Sequence, residues 1–391
     1  MTPKKAQSVR RWRLEPALPG EIQAIMPMWR KRRRINLALQ GGGAHGAFTW
    51  GVLDSLLEDE EIEFGWVSAT SGGAVNAVAL AAGLAVGSRA AAQDTLHKVW
   101  EAVEQAGVPD LLRLNPFLFG LTRMAPLPSV SSLLSPYDFN PLGFDPLRQL
   151  LTTHIDFAKL RTASPMELLI AATDVETGRA RLFRHHELTV EAVLASACLP
   201  TLHHAVLIDG RAYWDGGFSA NPDLVTLAAE SPIEDTLIVQ LNEAARNRVP
   251  TTARDIEGRV NTITFNQPLL RDVELIVEAQ DANLSWFGGR KGRLARLKRH
   301  RFHLIETRRY TVGLRVESKM TPDKGLLTYL HGAGRLEAHK WLERCRQSLG
   351  RRATVDLRER FLTAKRDKPL LVDPDEEPAP ESQVAGQGAR A

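Results

Sequence analysis

Ser71 lies where a nucleophile could be exposed, between a short apolar run and two glycines in the sequence WVSATSGG (residues 66–73). Small apolar residues follow at helical spacing, which places the serine in a strand-to-helix turn. A sharp turn of this kind is a nucleophile elbow and holds the serine Oγ out over the end of a sheet. Ala69 replaces the first glycine of the usual GxSxG pattern. A lone serine at such a place is commonly only a helix N-cap.

A glycine-rich turn lies about 28 residues upstream, in the sequence INLALQGGGAHG (residues 35–46). Gly41, Gly42, Gly43 and Gly46 follow an apolar strand and precede a helix. Glycine permits positive φ and lets a ligand approach the main chain closely. Several N–H groups at the helix N-terminus are then left to bind negative charge. The bound charge could belong to a phosphate, to a cofactor, or to an oxyanion that develops during a reaction.

An acid at the end of a third strand completes a set of reactive groups. Asp215 precedes Gly216 and Gly217 in the sequence YWDGGFSANP (residues 213–222). Alone, such an aspartate is often only a turn former. The glycine-rich turn beside the elbow would supply the N–H donors that an acyl-transfer enzyme needs around the oxyanion.

The glycine-rich turn also spells GxGxxG, through Gly41, Gly43 and Gly46. A dinucleotide site needs an acid at the end of the next strand, about 20 residues further on. The acids present, at positions 58–61 and at Glu63, precede that strand instead. A P-loop is excluded because no Gly-Lys-Ser/Thr follows.

A Ser-His-Asp triad is a nearer alternative, since the chain has several histidines downstream of Ser71. The candidates are His203, His204, His300, His303, His331 and His339. His331 comes late enough in the chain for a triad histidine, yet none of the six lies in a recognisable strand-end motif. The triad is therefore an alternative, as is a non-catalytic lipid-binding protein that keeps the fold.

Four segments in this order resemble the patatin-like phospholipase family, over roughly residues 35–221. They are GGGAHG, ATSGG, ASACLP (residues 195–200) and the DGG of residues 215–217. The resemblance implies an α/β fold with a Ser-Asp dyad that hydrolyses acyl esters, often of phospholipids. It makes Ser71 the nucleophile, Asp215 the base, and the N–H groups of Gly42, Gly43 and Ala44 the oxyanion hole. The supporting motif residues are Gly41, Gly46, Gly72, Gly73, Gly216 and Gly217.

Two residues depart from the family pattern. Ala69 stands in place of a glycine, and His45 stands where many members have arginine or lysine. The second departure leaves the charge preference for the substrate undecided. The acyl donor is undecided too, because phospholipid, lysophospholipid, acylglycerol, polyester and thioester all need the same dyad.

Composition narrows the class of protein further. Of 391 residues 43% are hydrophobic, which suffices for a sizeable core. Two cysteines are too few for a disulfide framework, so we expect a reducing, cytoplasmic compartment. No metal or cofactor is predicted, and the oligomeric state is not predicted.

The net charge of +4 is mild, but the basic residues are clustered. One cluster covers residues 30–34 and another covers residues 290–301. Each is a solvated surface or a peripheral contact with an anionic membrane. Nucleic acid is not expected, because aromatic residues between the basic ones are sparse. We expect no signal peptide, and the apolar run at residues 74–87 is too short to span a bilayer.

The elements that must position these groups alternate between strand and helix. Expected strands are 35–39, 66–70, 168–173, 207–213, 236–241 and 302–305, and expected helices are 47–57, 72–83, 90–106, 190–197, 255–282 and 335–349. This alternation predicts an α/β fold with a mostly parallel central sheet covered by helices on both faces.

The domain organisation follows from the same pattern. We expect a basic, weakly structured lead over residues 1–34 and an acyl hydrolase domain over residues 35–350. Within that domain, the Pro-, Leu- and Phe-rich residues 107–150 could form a lid or cap insertion. Residues 351–391 form a C-terminal extension, which we expect to be disordered from about residue 366.

Overall fold

The structure is a computed structural model that describes residues 32–106 and 135–363, except 142, 144, 244–248, 283–291, 312–313 and 315. Most of the predicted lead, most of the predicted lid and the end of the C-terminal extension lie outside the described residues. The strands are β1 Arg33–Leu39, β2 Ile62–Ala69, β3 Leu168–Asp174, β4 Ala180–Arg184, β5 Val206–Ile208, β6 Arg211–Asp215, β7 Asp235–Gln240 and β8 Arg301–Glu306. The main helices are α1 Gly46–Glu58, α2 Gly72–Val86, α3 Arg89–Ala106, α4 Pro146–His154, α5 Phe157–Ala163, α6 Val190–Ser196, α7 Leu224–Glu230, α8 Ala253–Asp281, α9 Arg293–Arg299 and α10 Lys324–Cys345.

One sheet of eight strands forms the centre of the molecule. Its order is β5-β6-β3-β2-β1-β7-β8, and β4 also pairs with β3. The neighbouring strands β3-β2-β1-β7-β8 are all parallel to one another. Strands β4, β5 and β6 form antiparallel pairings on the other side of β2. The predicted fold class is confirmed, with the qualification that the sheet is mixed.

Alternate residues of each central strand face opposite helix layers. In β1, Ile35, Leu37 and Leu39 pack into a large core cluster with α1, α2, α3 and α10. Ala38 faces a second cluster, built from α7, α8 and α9. Both faces are therefore covered, which is why the central strands read as continuous apolar runs.

Three features differ from the sequence expectations. The strand expected at 207–213 is a tight hairpin of β5 and β6, because Asp209 and Gly210 take positive φ values of 50° and 76°. The short strand β4 was missed, and α10 begins at Lys324 rather than at residue 335. Among the described residues, none of the helices combines the length and apolar character needed to cross a membrane.

Candidate active site

The predicted nucleophile elbow lies at the carboxyl end of β2. Ser71 adopts φ 54° and ψ −126°, a left-handed conformation that is strained for a residue with a side chain. Its N–H donates to Oγ of Ser196, a buried residue at the end of α6, at 3.0 Å. Ala69 is fully buried at the end of β2. The sheet thus accommodates the methyl group that replaces the usual glycine.

The elbow and the glycine-rich turn pack directly on each other. A Cβ at Gly41 would lie 2.9 Å from Cβ of Ser71, and one at Gly72 would lie 2.9 Å from the Gly43 carbonyl oxygen. A Cβ at Gly73 would lie only 2.4 Å from the Leu39 carbonyl oxygen. Glycine is required at these positions because backbone approaches backbone there.

The glycine-rich turn presents N–H groups beside Ser71. Gly43 has a φ of +56°, and a one-turn 3-10 helix follows over Gly43–His45. The intrahelical bonds of this turn begin only at the N–H of His45 and Gly46. The N–H groups of Gly42, Gly43 and Ala44 precede these bonds, at the position where the first N–H groups of a helix lack an intrahelical acceptor.

Three buried amides hold this turn in place. Gly41 N–H donates to Asn221 Oδ1 at 2.8 Å, and Asn242 Nδ2 donates to the Gly41 carbonyl at 2.9 Å. Gln40 Oε1 accepts from the backbone N–H groups of Leu241 and Asn242, both at 2.8 Å. The turn is thereby fixed from both sides before any ligand binds.

Asp215 is the last residue of β6 and is fully buried. Its Oδ1 accepts from the Gly217 N–H at 2.7 Å, while Oδ2 has no hydrogen-bond partner among the described residues. Burial raises the pKa of Asp215 to about 7, and the Gly217 N–H and the Ser71 hydroxyl oppose that rise. The Ser71 hydroxyl is thus close enough to favour the carboxylate, without a fully formed hydrogen bond to Oδ2. A buried acid with a free oxygen and a pKa near neutrality is suited to accept a proton.

The loop after Asp215 is tied to the elbow. Thr70 Oγ1 donates to the Ala220 carbonyl at 2.7 Å, and Thr173 Oγ1 donates to the Asp215 carbonyl at 2.8 Å. A Cβ at Gly216 would lie 2.2 Å from the Ala171 carbonyl oxygen. A Cβ at Gly217 would meet the Phe265 ring at 2.2 Å. The two glycines let the acid approach the elbow between β3 and α8.

His45 is buried beneath the glycine-rich turn. Its Nε2 lies 2.7 Å from Ser318 Oγ, and burial together with the nearby Lys319 charge lowers the pKa of His45 to about 4. The imidazole is therefore neutral at pH 7. Lys319 Nζ donates to Asn242 Oδ1, so the charge beside this turn comes from a segment far along the chain.

No histidine contacts the candidate dyad among the described residues. His331 Nε2 lies 2.7 Å from Asp54 Oδ2 and its ring lies 3.8 Å from that of Trp50, along the α1–α10 interface. His303 bonds Asp235 and His300 bonds Thr236, at the amino ends of β7 and β8. The triad alternative gains no support from this geometry.

The second basic cluster, residues 290–301, lies at the amino-terminal ends of strands β7 and β8, whereas Ser71 follows the carboxyl end of β2. Arg296 donates to the carbonyls of residues 229–231, Arg299 pairs with Glu234, and Arg301 pairs with Asp235. Leu297 is buried in the core while Leu294 is exposed. These arginines are engaged within the fold, and residues 290 and 291 lie outside the described residues.

Among the described residues, one group of three side chains has the spacing of metal ligands. Glu167, His185 and His186 place their ligand atoms within 4.8 Å of one another. Glu167 immediately precedes β3, at the opposite end of that strand from its pairing with Asp215. This group takes no part in the candidate active site.

The sequence motifs included two supporting residues without giving them a role. Ser196 lies in the ASACLP segment and Asn221 lies in the segment after Asp215. Asn242 follows the end of β7, where a polar residue after a buried strand was the available signal. Lys319 had no signal, because no motif precedes or follows it.

Comparison with known proteins identifies the family that this chain matches. The model of the patatin-like phospholipase family matches residues 37–228. None of the curated proteins matches the chain.

Two solved structures are similar at low identity. VipD from Legionella pneumophila has 14% identity and a TM-score of 0.41, over 83% of this chain and 72% of that chain. The type III effector ExoU has 15% identity and a TM-score of 0.26, over 81% of this chain and 64% of that chain.

Proposed function

Because the chain belongs to the patatin-like phospholipase family, whose members are esterases that act on lipids, we propose that it hydrolyses carboxylic esters of lipids through Ser71 and Asp215. The substrate class is a phospholipid or lysophospholipid. The observation that carries this proposal is Oδ2 of the buried Asp215, which has no hydrogen-bond partner among the described residues and lies close to the strained Ser71 and the glycine-rich turn.

The reaction proceeds in two halves. Ser71 Oγ attacks the ester carbonyl carbon as its proton passes to Asp215 Oδ2. The N–H groups of Gly42, Gly43 and Ala44 stabilise the oxyanion of the tetrahedral intermediate. The intermediate collapses to an acyl-serine, and the alcohol leaves with the proton from Asp215. Water then attacks the acyl-serine, with Asp215 again as base, and releases the fatty acid and the free serine.

A pKa near 7 matters for both halves. An aspartate with its ordinary pKa near 3.9 is a weak base, whereas one raised by burial accepts a proton more readily. After each transfer, the protonated acid is neutral and is no longer penalised by its buried surroundings. We place this chemistry in the cytoplasm, with peripheral contact at a membrane as part of the proposal.

The test uses a panel of esters with purified protein and matched variants. We expect wild type to cleave phospholipid, lysophospholipid or acylglycerol, and Ser71→Ala to lose activity by up to about 10⁶-fold. Ser68→Ala is the control, because this buried hydroxyl on β2 has no partner among the described residues and is expected to be dispensable. A fluorophosphonate probe should label Ser71, as read by mass spectrometry.

The outcomes distinguish the proposed function from its alternatives. Labelling of a different serine would reject the Ser71-Asp215 dyad. Cleavage of only polyester or thioester would keep the dyad and change the substrate class. Lipid binding without cleavage of any ester would make the chain a non-catalytic member of the family.

A further inference from the structure

Three side chains with the spacing of metal ligands lie outside the candidate active site, and the dyad chemistry does not use them. We infer that Glu167, His185 and His186 form a binding site for Zn²⁺ beside the amino-terminal end of β3. The inference goes beyond the proposed function, and its test requires no ester hydrolysis.

The pairing of β3 with β4 brings the three residues together. Glu167 immediately precedes β3, and its carbonyl accepts from the Val67 N–H at 2.8 Å. β4 runs antiparallel to β3 with Arg184 opposite Leu169, so the chain that follows β4 passes beside the chain that precedes β3. The two histidines are the first residues after β4. Side chains that begin 18 residues apart (185 − 167) therefore meet without any sequence motif.

The turn that carries the histidines is held by contacts of its own. A one-turn 3-10 helix covers His185–Glu187. Glu187 Oε1 accepts from the Arg184 N–H at 2.8 Å, and Glu187 Oε2 pairs with Arg181 at 2.6 Å. The backbone beneath both imidazoles is thus fixed by groups other than the proposed ligands. An ordered site of this kind costs less to close on an ion than a free surface chain does.

The ligand atoms are close to the separation that Zn²⁺ requires. His185 Nδ1 lies 2.9 Å from Glu167 Oε2, and one ligand atom from each of the three residues lies within 4.8 Å of the others. Tetrahedral bonds of about 2.0–2.2 Å separate ligand atoms by about 3.4 Å. His186 is exposed, so a change of its rotamer can shorten the longer separations.

Two buried atoms of this group are short of a hydrogen bond. His185 Nδ1 and Glu167 Oε1 have no hydrogen-bond partner among the described residues, although buried polar atoms usually have one. An ordinary ion pair between imidazole and carboxylate would place an N–H in line with Oε2. Here the 2.9 Å approach occurs without that alignment. A cation bound between the two side chains accepts a lone pair from each, which accounts for the approach.

The chemistry of the donors selects the ion. Two imidazoles and one carboxylate suit Zn²⁺, whereas Ca²⁺ and Mg²⁺ prefer oxygen ligands. Three protein ligands leave the fourth tetrahedral position for water. Arg184 Nη1 lies 3.9 Å from Glu167 Oε1, and its Nη2 pairs with Glu230 at 2.5 Å. A second carboxylate therefore offsets the guanidinium charge that would oppose a cation.

The experiment measures Zn²⁺ binding to the full-length chain without an affinity tag, after dialysis against EDTA. Isothermal titration calorimetry should show one equivalent of Zn²⁺ bound to this site in wild type. His186→Ala should weaken that binding by at least about 10-fold, and the variant should fold because His186 is exposed. Glu167→Gln keeps the shape of the side chain, removes its charge and should weaken binding as well. His339→Ala is the matched control, because it removes another exposed imidazole, on α10, and should bind as wild type does.

Thermal unfolding supplies a second measurement. Zn²⁺ should raise the Tm of wild type and of His339→Ala, because an ion that binds only the folded chain stabilises it. The same concentration of Mg²⁺ should leave Tm unchanged, and the rise with Zn²⁺ should be lost in His186→Ala.

Three results would overturn the inference. They are no stoichiometric binding of Zn²⁺ to wild type, equal Zn²⁺ affinity in wild type and His186→Ala, and equal losses in His186→Ala and His339→Ala, which would indicate adventitious binding to surface histidines. None of them depends on whether the chain cleaves an ester, so failure of this inference and failure of the proposed function are distinguishable.

Discussion

The backbone N–H of Ser71 donates to the buried hydroxyl of Ser196 at 3.0 Å, and this bond joins the strained elbow to the end of α6. Ser71 keeps its left-handed conformation only because surrounding groups determine it. Ser196 of the ASACLP segment thus supports the nucleophile through its main chain.

Ser196→Ala tests this positioning role. We expect kcat to fall about 10-fold with KM unchanged, because the elbow loosens and the Ser71 N–H loses its acceptor, at a cost of about 1 kcal/mol. Ser231→Ala is the control, since that buried hydroxyl accepts from the Ile233 N–H at 3.1 Å and donates to Asn36 Oδ1 at 2.8 Å, far from the elbow. Urea unfolding should show a loss of stability for both variants, whereas kcat should fall only in Ser196→Ala. A normal kcat in Ser196→Ala would reject the positioning role.

Gly43→Ala tests the proposed oxyanion hole. A Cβ there would lie 2.2 Å from the Lys319 carbonyl oxygen, so the turn must move. Its N–H groups would then no longer point at the oxyanion. We expect kcat to fall by at least about 10²-fold. Gly178→Ala carries similar strain at a φ of +68° but meets nothing within 4 Å, so it should cost stability alone. Equal kcat values in the two variants would contradict the assignment.

The pH–rate profile should report the base. Because the pKa of Asp215 is about 7, kcat/KM should rise as pH rises through about 7 and level off above it. Burial, with the charge of Asp223, also raises the pKa of Asp272 to about 7, but Asp272 caps α7 through the N–H groups of Leu224 and Val225. Asp272→Asn should therefore leave the acidic limb in place. If Asp272→Asn shifted the acidic limb of the pH–rate profile, the assignment of Asp215 as the base would be refuted.

Asp215→Asn should move activity and stability in opposite directions. The folded carboxyl has a pKa of about 7 and the unfolded one about 3.9, so the native state binds the proton more tightly. The free energy of unfolding of the wild type therefore falls as pH rises from about 4 to about 7. The Asp215→Asn variant should not show this fall, because its side chain does not titrate.

We thus expect Asp215→Asn to be nearly inactive, yet more stable than wild type at pH 8. The gain is about 1.4 kcal/mol for each unit of pKa shift. The difference should shrink towards pH 4, where both side chains are neutral. Urea unfolding at the two pH values measures it, and greater wild-type stability at pH 8 would contradict the burial argument.

Histidine substitutions separate the dyad from a triad. Variants at His203, His204 and His331 should keep kcat within about threefold of wild type, because an aspartate base needs no imidazole. His303→Ala should lose stability instead, since its ring is buried between Asp235 and Thr354. One folded histidine variant as inactive as Ser71→Ala would establish a triad.

The sequence by itself determined the parts that depend on local geometry. A serine between a strand and a helix, a run of glycines after a strand, and an acid before two glycines each require a particular backbone turn, and those turns are encoded over a few residues. The continuous apolar runs likewise indicated buried parallel strands, because both of their faces are covered. The elbow, the glycine-rich turn and the acid lie where those patterns place them.

Tertiary structure decided how those turns meet and which charges surround them. The order β6-β3-β2-β1 brings Asp215 to Ser71 although 144 residues separate them in the chain (215 − 71). Burial, which no local pattern specifies, raises the pKa of Asp215 and keeps His45 neutral. Lys319 reaches the glycine-rich turn from a segment without any motif, because its position depends on the packing of distant parts of the chain. Long-range contacts of this kind leave no periodic signal in the sequence, so only the folded chain reveals them.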